Sequence, residues 1–181
     1  NLDADIAGWL ADPDTGEIVI GSSRRGKVKH HYSVRESRYQ GLHRALVTAY
    51  GDQTLSVMSR SADGKDMILR ASSDTNPGSI FIFNTEAKRA EFFWANRSWM
   101  DPNQMRPMQI DEVISKDGFS IPVRLTLPAT DEPAPLIINP HGGPHGISDD
   151  WAFNYETQLL ASRGYAVLQV NFRGSGGFGK K

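Results

Sequence analysis

The sequence predicts a mixed fold: an antiparallel meander of four short strands, then the first strands and helix of an α/β sheet. Three observations carry this. Between residues 54 and 94, β-prone runs alternate with short turn clusters. Between residues 136 and 170, an apolar run, a helical pattern and a second apolar run follow one another with short joints. A glycine pair, Gly142-Gly143, sits where the first of those strands gives way.

Composition sets the outer limits. The 181 residues are 39% hydrophobic, enough to bury a core in one or two small domains. Lys and Arg total 20 against 21 Asp and Glu, so no global charge recruits nucleic acid or an anionic membrane. Locally, Arg24, Arg25, Lys27, Lys29, Arg35, Arg38 and Arg44 face a single acid, Glu36. This stretch reads as solvated basic surface, with a polyanion site as the alternative; no aromatic-interleaved nucleic-acid motif accompanies it. The absence of cysteine removes disulfides, thiolate catalysis and cysteine-based metal sites. No apolar run approaches the ~18 residues of a membrane span, so no membrane crossing is expected. The chain starts at Asn1 without a methionine, which suggests an excised or partial sequence. The compartment is left unfixed, the cytoplasm being favoured, and so is the oligomeric state. Asn96-Arg97-Ser98 fits the N-glycosylation sequon, a pattern short enough to arise by chance.

Taken in order, Ile6 to Ser22 holds two apolar runs around Asp12-Pro13-Asp14-Thr15-Gly16, a turn between strands. Val28 to Val34 reads as another strand. Ser33 and Glu36 have capping-box spacing, and Tyr39, Leu42, Leu46 and Ala49 recur at helical intervals until Gly51. The meander follows: Thr54 to Ser59, Met67 to Ala71, Ile80 to Phe83 and Glu91 to Trp94, with Asp63-Gly64 as the strongest hairpin turn. Such a unit is a β-propeller blade, although sandwiches and barrels contain it too, and no second copy is evident. Residues 96–108 read as a linker. Ile110 to Ser115 and Phe119 to Leu127 flank Lys116-Asp117-Gly118, a further hairpin. Leu136 to Asn139 is the next strand. Ser148, Asp149 and Asp150 offer caps for a helix with Trp151, Tyr155 and Leu159 on one face, stopped by Gly164. Tyr165 to Val170 is a strand of the kind buried in a parallel sheet. A hairpin followed by a βαβ unit is how an α/β-hydrolase sheet begins.

Chemistry concentrates at His141-Gly142-Gly143-Pro144. A strand ending in glycines before a helix exposes main-chain N–H groups at the carboxyl edge of a sheet, where ligands of open α/β folds bind. Acyl transfer builds negative charge on the former carbonyl oxygen, and fixed donors aimed there lower its barrier. Gly143 is the candidate donor through its main-chain N–H, with Gly142 allowing close approach and Pro144 stiffening the turn. A tight turn with no ligand is the competing explanation. His141 is expected to order the loop rather than act as a base, and His145 lies either near the site or in solvent. His30, His31 and His43 have no matched carboxylate or cysteine pattern, so no metal site is expected. At the chain's end, Gly174-Ser175-Gly176-Gly177-Phe178-Gly179 matches a dinucleotide-loop pattern. Asn171-Phe172-Arg173 before it is unlike a nucleotide-binding start, and no cofactor is expected. Ser175 is not in a Gly-x-Ser-x-Gly elbow, because Arg173 holds the first position.

Several blocks in order resemble the prolyl oligopeptidase family of serine peptidases, nearest its acylaminoacyl-peptidase and dipeptidyl-aminopeptidase-like branch. They are Asp117-Gly118-Phe119-Ser120-Ile121-Pro122, Leu125-Thr126-Leu127-Pro128, His141-Gly142-Gly143-Pro144, Leu160 to Leu168 and Asn171-Phe172-Arg173-Gly174-Ser175-Gly176-Gly177-Phe178-Gly179. The resemblance implies the last part of a β-propeller over residues 1–100, a linker over 101–109 and the N-terminal part of an α/β-hydrolase domain over 110–181. It implies Gly143 as oxyanion-hole donor, Arg173 in a structural role beside the site, and a peptide substrate. The family's nucleophile, acid and histidine fall beyond the Arg-Gly-Ser-Gly-Gly loop, so no triad member is expected in this chain, which alone should be inactive. A propeller-type interaction module with a non-catalytic extension, or an esterase, are the other functions the sequence allows.

Overall fold

A computed structural model describes residues 4–143 and 145–179; Pro144, one of the loop residues singled out above, lies outside the described residues. Among the described residues the strands form three sheets. The first runs β1 (Ile6–Ala11), β2 (Ile18–Ser23) and β3 (Lys29–Tyr32), all antiparallel. Its first turn is built by Asp12, whose carboxylate accepts the Asp14 N–H at 2.9 Å. That bond, with others from its neighbours, holds Asp12 below the ordinary carboxylate range.

Helix α1 spans Arg38–Tyr50. Its cap is Ser37, whose hydroxyl accepts the Gln40 N–H at 3.2 Å, and not Ser33 as the spacing to Glu36 predicts. Ser33 is occupied otherwise, accepting the Gln40 side-chain amide at 2.9 Å. The helix stops at Gly51, at φ 60°.

The second sheet is the expected meander: β4 (Thr54–Arg60), β5 (Asp66–Ser72), β6 (Ser79–Asn84) and β7 (Arg89–Ala95), in that order. On β5, Met67, Leu69 and Ala71 are buried in alternation, as a sheet with one covered face requires. They join Leu55, Phe83 and Leu46 of α1 in one core, with Tyr39 and Leu42 packed against it. Each large apolar side chain removed from water there contributes about 1.5–3 kcal/mol. At the sheet edge, Phe92, Phe93 and Trp94 of β7 remain exposed.

The third sheet has the order β10-β11-β9-β8, where β8 is Met108–Ile114, β9 Ser120–Thr126, β10 Leu136–Ile138 and β11 Ala166–Val170. β8 and β9 form the hairpin expected around Asp117-Gly118. β10 and β11 are parallel, joined through α2 (Tyr155–Ser162), and β11 is inserted between β10 and β9. Val167 at the centre is fully buried.

Helix α2 departs from the expected one. It is capped by Asn154, which accepts the Thr157 N–H at 3.0 Å, and not by Ser148, Asp149 or Asp150. Trp151 is buried ahead of the helix, while Tyr155 and Leu159 face outward at 59% and 56% exposure. The buried face carries Thr157, Gln158 and Ala161. The expected face is anchored on Trp151, which lies outside the helix, so its burial says nothing of the face that Tyr155 and Leu159 share. Gly164 does end the helix: its N–H bonds Ala161 O and the Tyr165 N–H bonds Leu160 O, which is the paired Schellman closure.

Gln158 explains why the segment before β8 is ordered. Its side chain accepts the Arg106 N–H at 2.8 Å and donates to Arg106 O at 2.7 Å and Asp74 O at 3.2 Å. Asp74, on the turn between β5 and β6, accepts the Met108 N–H at 2.6 Å. The meander, this segment and α2 are thereby tied at one buried point. The basic stretch is also largely absorbed into pairs: Arg24 with Asp150, Arg25 with Glu112, Lys27 with Asp52, Arg35 with Glu17 and Arg44 with Glu36. Two of these bonds leave the β2–β3 turn, Arg24 reaching the segment before α2 and Arg25 reaching β8 of the third sheet. Among the described residues no helix is long and apolar enough to cross a membrane.

Candidate functional site

β10 and β11 run parallel, so the segments that leave their carboxyl ends emerge side by side. Main-chain pairing continues past β10 through the Asn139 N–H to Leu168 O, at 2.8 Å, and the chain then enters the glycine loop. Beyond β11, the Asn171 N–H bonds Pro122 O at 2.9 Å before residues 172–179 turn away.

The two loops are joined along their length. Gly146 N–H donates to Gly174 O at 3.1 Å and Gly176 N–H to Ile147 O at 3.0 Å. Asn171, 2% exposed, grips Asp149 from both sides: its Oδ1 accepts the Asp149 N–H at 2.7 Å and its Nδ2 donates to Asp149 O at 3.0 Å. Gln169 Nε2 donates to Asp149 Oδ1 at 2.7 Å. Burial pushes the Asp149 carboxyl up, against the Gln169 bond that favours its ionised form. Beneath, Arg124 is 1% exposed and donates to Val123 O and Arg25 O.

His141 lies across this junction. Its ring stacks on Phe172 with centroids 4.6 Å apart. Nδ1 is 2.8 Å from Gly142 O; a carbonyl only accepts, so Nδ1 carries the proton. Nε2 then accepts from Ser175 Oγ, 2.8 Å away. A hydroxyl on Nε2 resembles a nucleophile on its base, but the group orienting this imidazole is the adjacent main-chain carbonyl rather than a carboxylate. Ser175 is itself held in a turn, its N–H on Phe172 O at 3.0 Å. The contact serves as a latch between the loops. Sequence reasoning placed His141 as a loop-ordering residue but missed Ser175 as its partner and Asn171 as the clamp on Asp149. A polar residue at the buried end of an apolar strand was the available sign for Asn171.

Gly143 is exposed and has φ 110°, a conformation that side chains other than glycine's strain to adopt. Among the described residues its N–H meets no acceptor. Gly142 beside it is exposed, with open space where a Cβ would stand. His145 is exposed. Arg173 turns from the loop to the β8–β9 hairpin, pairing with the Asp117 carboxylate and lying 4.8 Å from the Phe119 ring centroid. The Ser115 hydroxyl, and after it the Arg173 guanidinium, hold Asp117 below the usual carboxylate range. The arrangement offers the main-chain N–H of an exposed glycine, Gly143, on a loop braced by its neighbour. His43, far from these loops, is buried with Nδ1 3.0 Å from Tyr32 Oη, and burial lowers its pKa to about 4. Among the described residues no three His, Asp or Glu side chains converge as metal ligands would.

Residues 151–181 match the prolyl oligopeptidase family. Dipeptidyl aminopeptidase BIII of Pseudoxanthomonas mexicana is 32% identical over 186 residues, which covers 98% of this chain and 26% of that protein. The acylamino-acid-releasing enzyme of Rattus norvegicus is 43% identical over 87 residues, 48% of this chain and 11% of that enzyme. Among solved structures, a puromycin-hydrolyzing peptidase of Mycobacterium tuberculosis aligns with TM-score 0.65 and 18% identity over 99% of this chain and 29% of that one. The chain therefore spans about a quarter of the length of the first of these relatives.

Proposed function

Because this chain belongs to the prolyl oligopeptidase family, we propose that it supplies the oxyanion half of the acyl-transfer site of a serine peptidase acting on short peptides. The Gly143 main-chain N–H is the donor. One observation carries this: an exposed glycine at φ 110°, whose N–H meets no acceptor among the described residues, on a loop at the carboxyl end of a parallel strand. The hairpin β8–β9 followed by the unit β10-α2-β11 supports an α/β-hydrolase sheet over residues 110–181. The β4–β7 meander supports a propeller blade within residues 1–100, with 101–109 as the connection.

In this mechanism a serine attacks the peptide carbonyl, and the oxygen that gains charge moves into hydrogen-bond range of Gly143 N–H. Such a donor binds the tetrahedral intermediate better than the substrate, so it raises kcat more than it lowers KM. His141, Ser175 and Asn171 keep the loop in place, and Arg173 fixes the neighbouring loop to the hairpin. No Gly-x-Ser-x-Gly occurs in the sequence, so the nucleophile, its acid and its histidine are assigned outside these residues. The test is fluorophosphonate labelling of the longer protein containing this chain, with the adduct mapped by mass spectrometry. An adduct on a serine outside the chain, within Gly-x-Ser-x-Gly, is expected. No adduct, or an adduct on Ser175, would contradict the proposal.

A further inference from the structure

A concave site lies away from these loops, where the β4–β7 sheet meets the segment leading into α2. It is a cavity of about 280 Å³. That is close to the lower end of the ~300–1,000 Å³ of small-molecule sites, too small for a folded partner. Its lining divides by chemistry: Arg70, Ser72, Asn96 and Arg97 from the sheet side are polar, whereas Pro77, Ala152, Phe153 and Tyr155 supply apolar and aromatic surface.

Both guanidiniums are held in place without a counter-charge. Arg70 donates to Ser72 Oγ at 3.1 Å and to Pro77 O at 3.0 Å. Arg97 stacks over Tyr155, 4.5 Å from the ring centroid, which leaves the in-plane N–H edge for another acceptor. Among the described residues neither has a carboxylate within 4.0 Å, in contrast to Arg24, Arg25, Arg35 and Arg173. Arg97 is also, among the described residues, one of two non-glycine residues at positive φ, 53°, so the backbone accepts strain where it presents this side chain.

We propose that this cavity binds an organic carboxylate with a small apolar body, its carboxylate on Arg70 and Arg97 and its body against Phe153 and Tyr155. Two guanidiniums lining one cavity suit a planar oxyanion, and the apolar wall favours an organic acid over a bare inorganic ion. A free acid and the C-terminus of a peptide share this chemistry. The site is separate from the acyl-transfer loops and does not depend on their assignment.

The test is calorimetric titration of the intact protein with N-acetyl-leucine, N-acetyl-leucinamide, inorganic phosphate and the dipeptide Gly-Leu. N-acetyl-leucine is expected to bind, and its amide to bind at least tenfold more weakly. Phosphate should not displace it. Gly-Leu binding more tightly than N-acetyl-leucine would identify a peptide end as the source, and the reverse a free acid. Arg97→Asn, which tolerates the left-handed backbone, should weaken the acid at least tenfold with an unchanged thermal midpoint. Arg70→Lys, which keeps a charge but not the fork, should weaken it less than Arg70→Met. No binding, equal binding of acid and amide, full competition by phosphate, or affinity unchanged in Arg97→Asn would overturn the proposal.

Discussion

Replacing Gly176 by alanine is expected to destabilise the folded protein by about 1–3 kcal/mol, the range for forcing atoms into a packed site, and to remove most of the turnover of the intact enzyme. The added Cβ would lie 2.6 Å from Gly146 O and 2.9 Å from Gly146 C. Those are backbone atoms, which cannot rotate aside as a side chain can. The loops are also bonded through Gly146 N–H to Gly174 O and Gly176 N–H to Ile147 O, so separating them breaks both bonds. The shift is delivered to the segment that carries Gly143. Thermal or urea unfolding reads the first effect and steady-state kinetics the second. Gly142→Ala is the stability control, since a Cβ there meets nothing within 4 Å; it should change stability by less than about 0.5 kcal/mol. Equal stability of the two variants would show that the loops are not packed as described.

The second large effect is expected at Gly143. In alanine's case the Cβ meets Ile147 Cδ1 at 2.9 Å, the end of a flexible side chain that can move. Sterics are therefore the smaller cost. At φ 110°, a non-glycine residue carries strain of about 1–3 kcal/mol. Turning the peptide relieves that strain and swings the N–H away from the proposed oxyanion position. Gly143→Ala should thus lower kcat by about 10²-fold, with little change in KM, because a full oxyanion donor is worth about 10²–10³ in kcat. Separate kcat and KM measurements on the intact enzyme check this. A variant whose KM rises while kcat holds would mean that Gly143 contacts the ground state only.

Much of this arrangement was legible in the sequence, for particular reasons. The meander could be read because short β-prone runs are separated by turns that carry Asp63-Gly64 and Asn76-Pro77-Gly78. Gly164 could be read because a left-handed closing residue has few substitutes. Both helix starts were misplaced, for one physical reason. A run of Ser, Asp and Asn offers several side chains able to cap, and tertiary bonds decide among them: Gln40 takes Ser33, and Asn171 with Gln169 takes Asp149. The glycine loop was visible as a motif, whereas the contacts that brace it were not. His141 and Ser175 are 34 positions apart in the chain, and only the parallel pairing of β10 and β11 sets their loops side by side.

The Gly143 N–H, the proposed donor, can be removed by one substitution that adds no side chain. Installing glycolate in place of Gly143 by protein semisynthesis turns its amide N–H into an ester oxygen while leaving φ free and the loop uncrowded. Turnover of a peptide amide substrate by the intact enzyme is then compared with the all-amide protein. A fall in kcat of about 10²–10³-fold with KM nearly unchanged is the predicted result. An unchanged kcat would contradict the assignment of Gly143 N–H as the oxyanion donor.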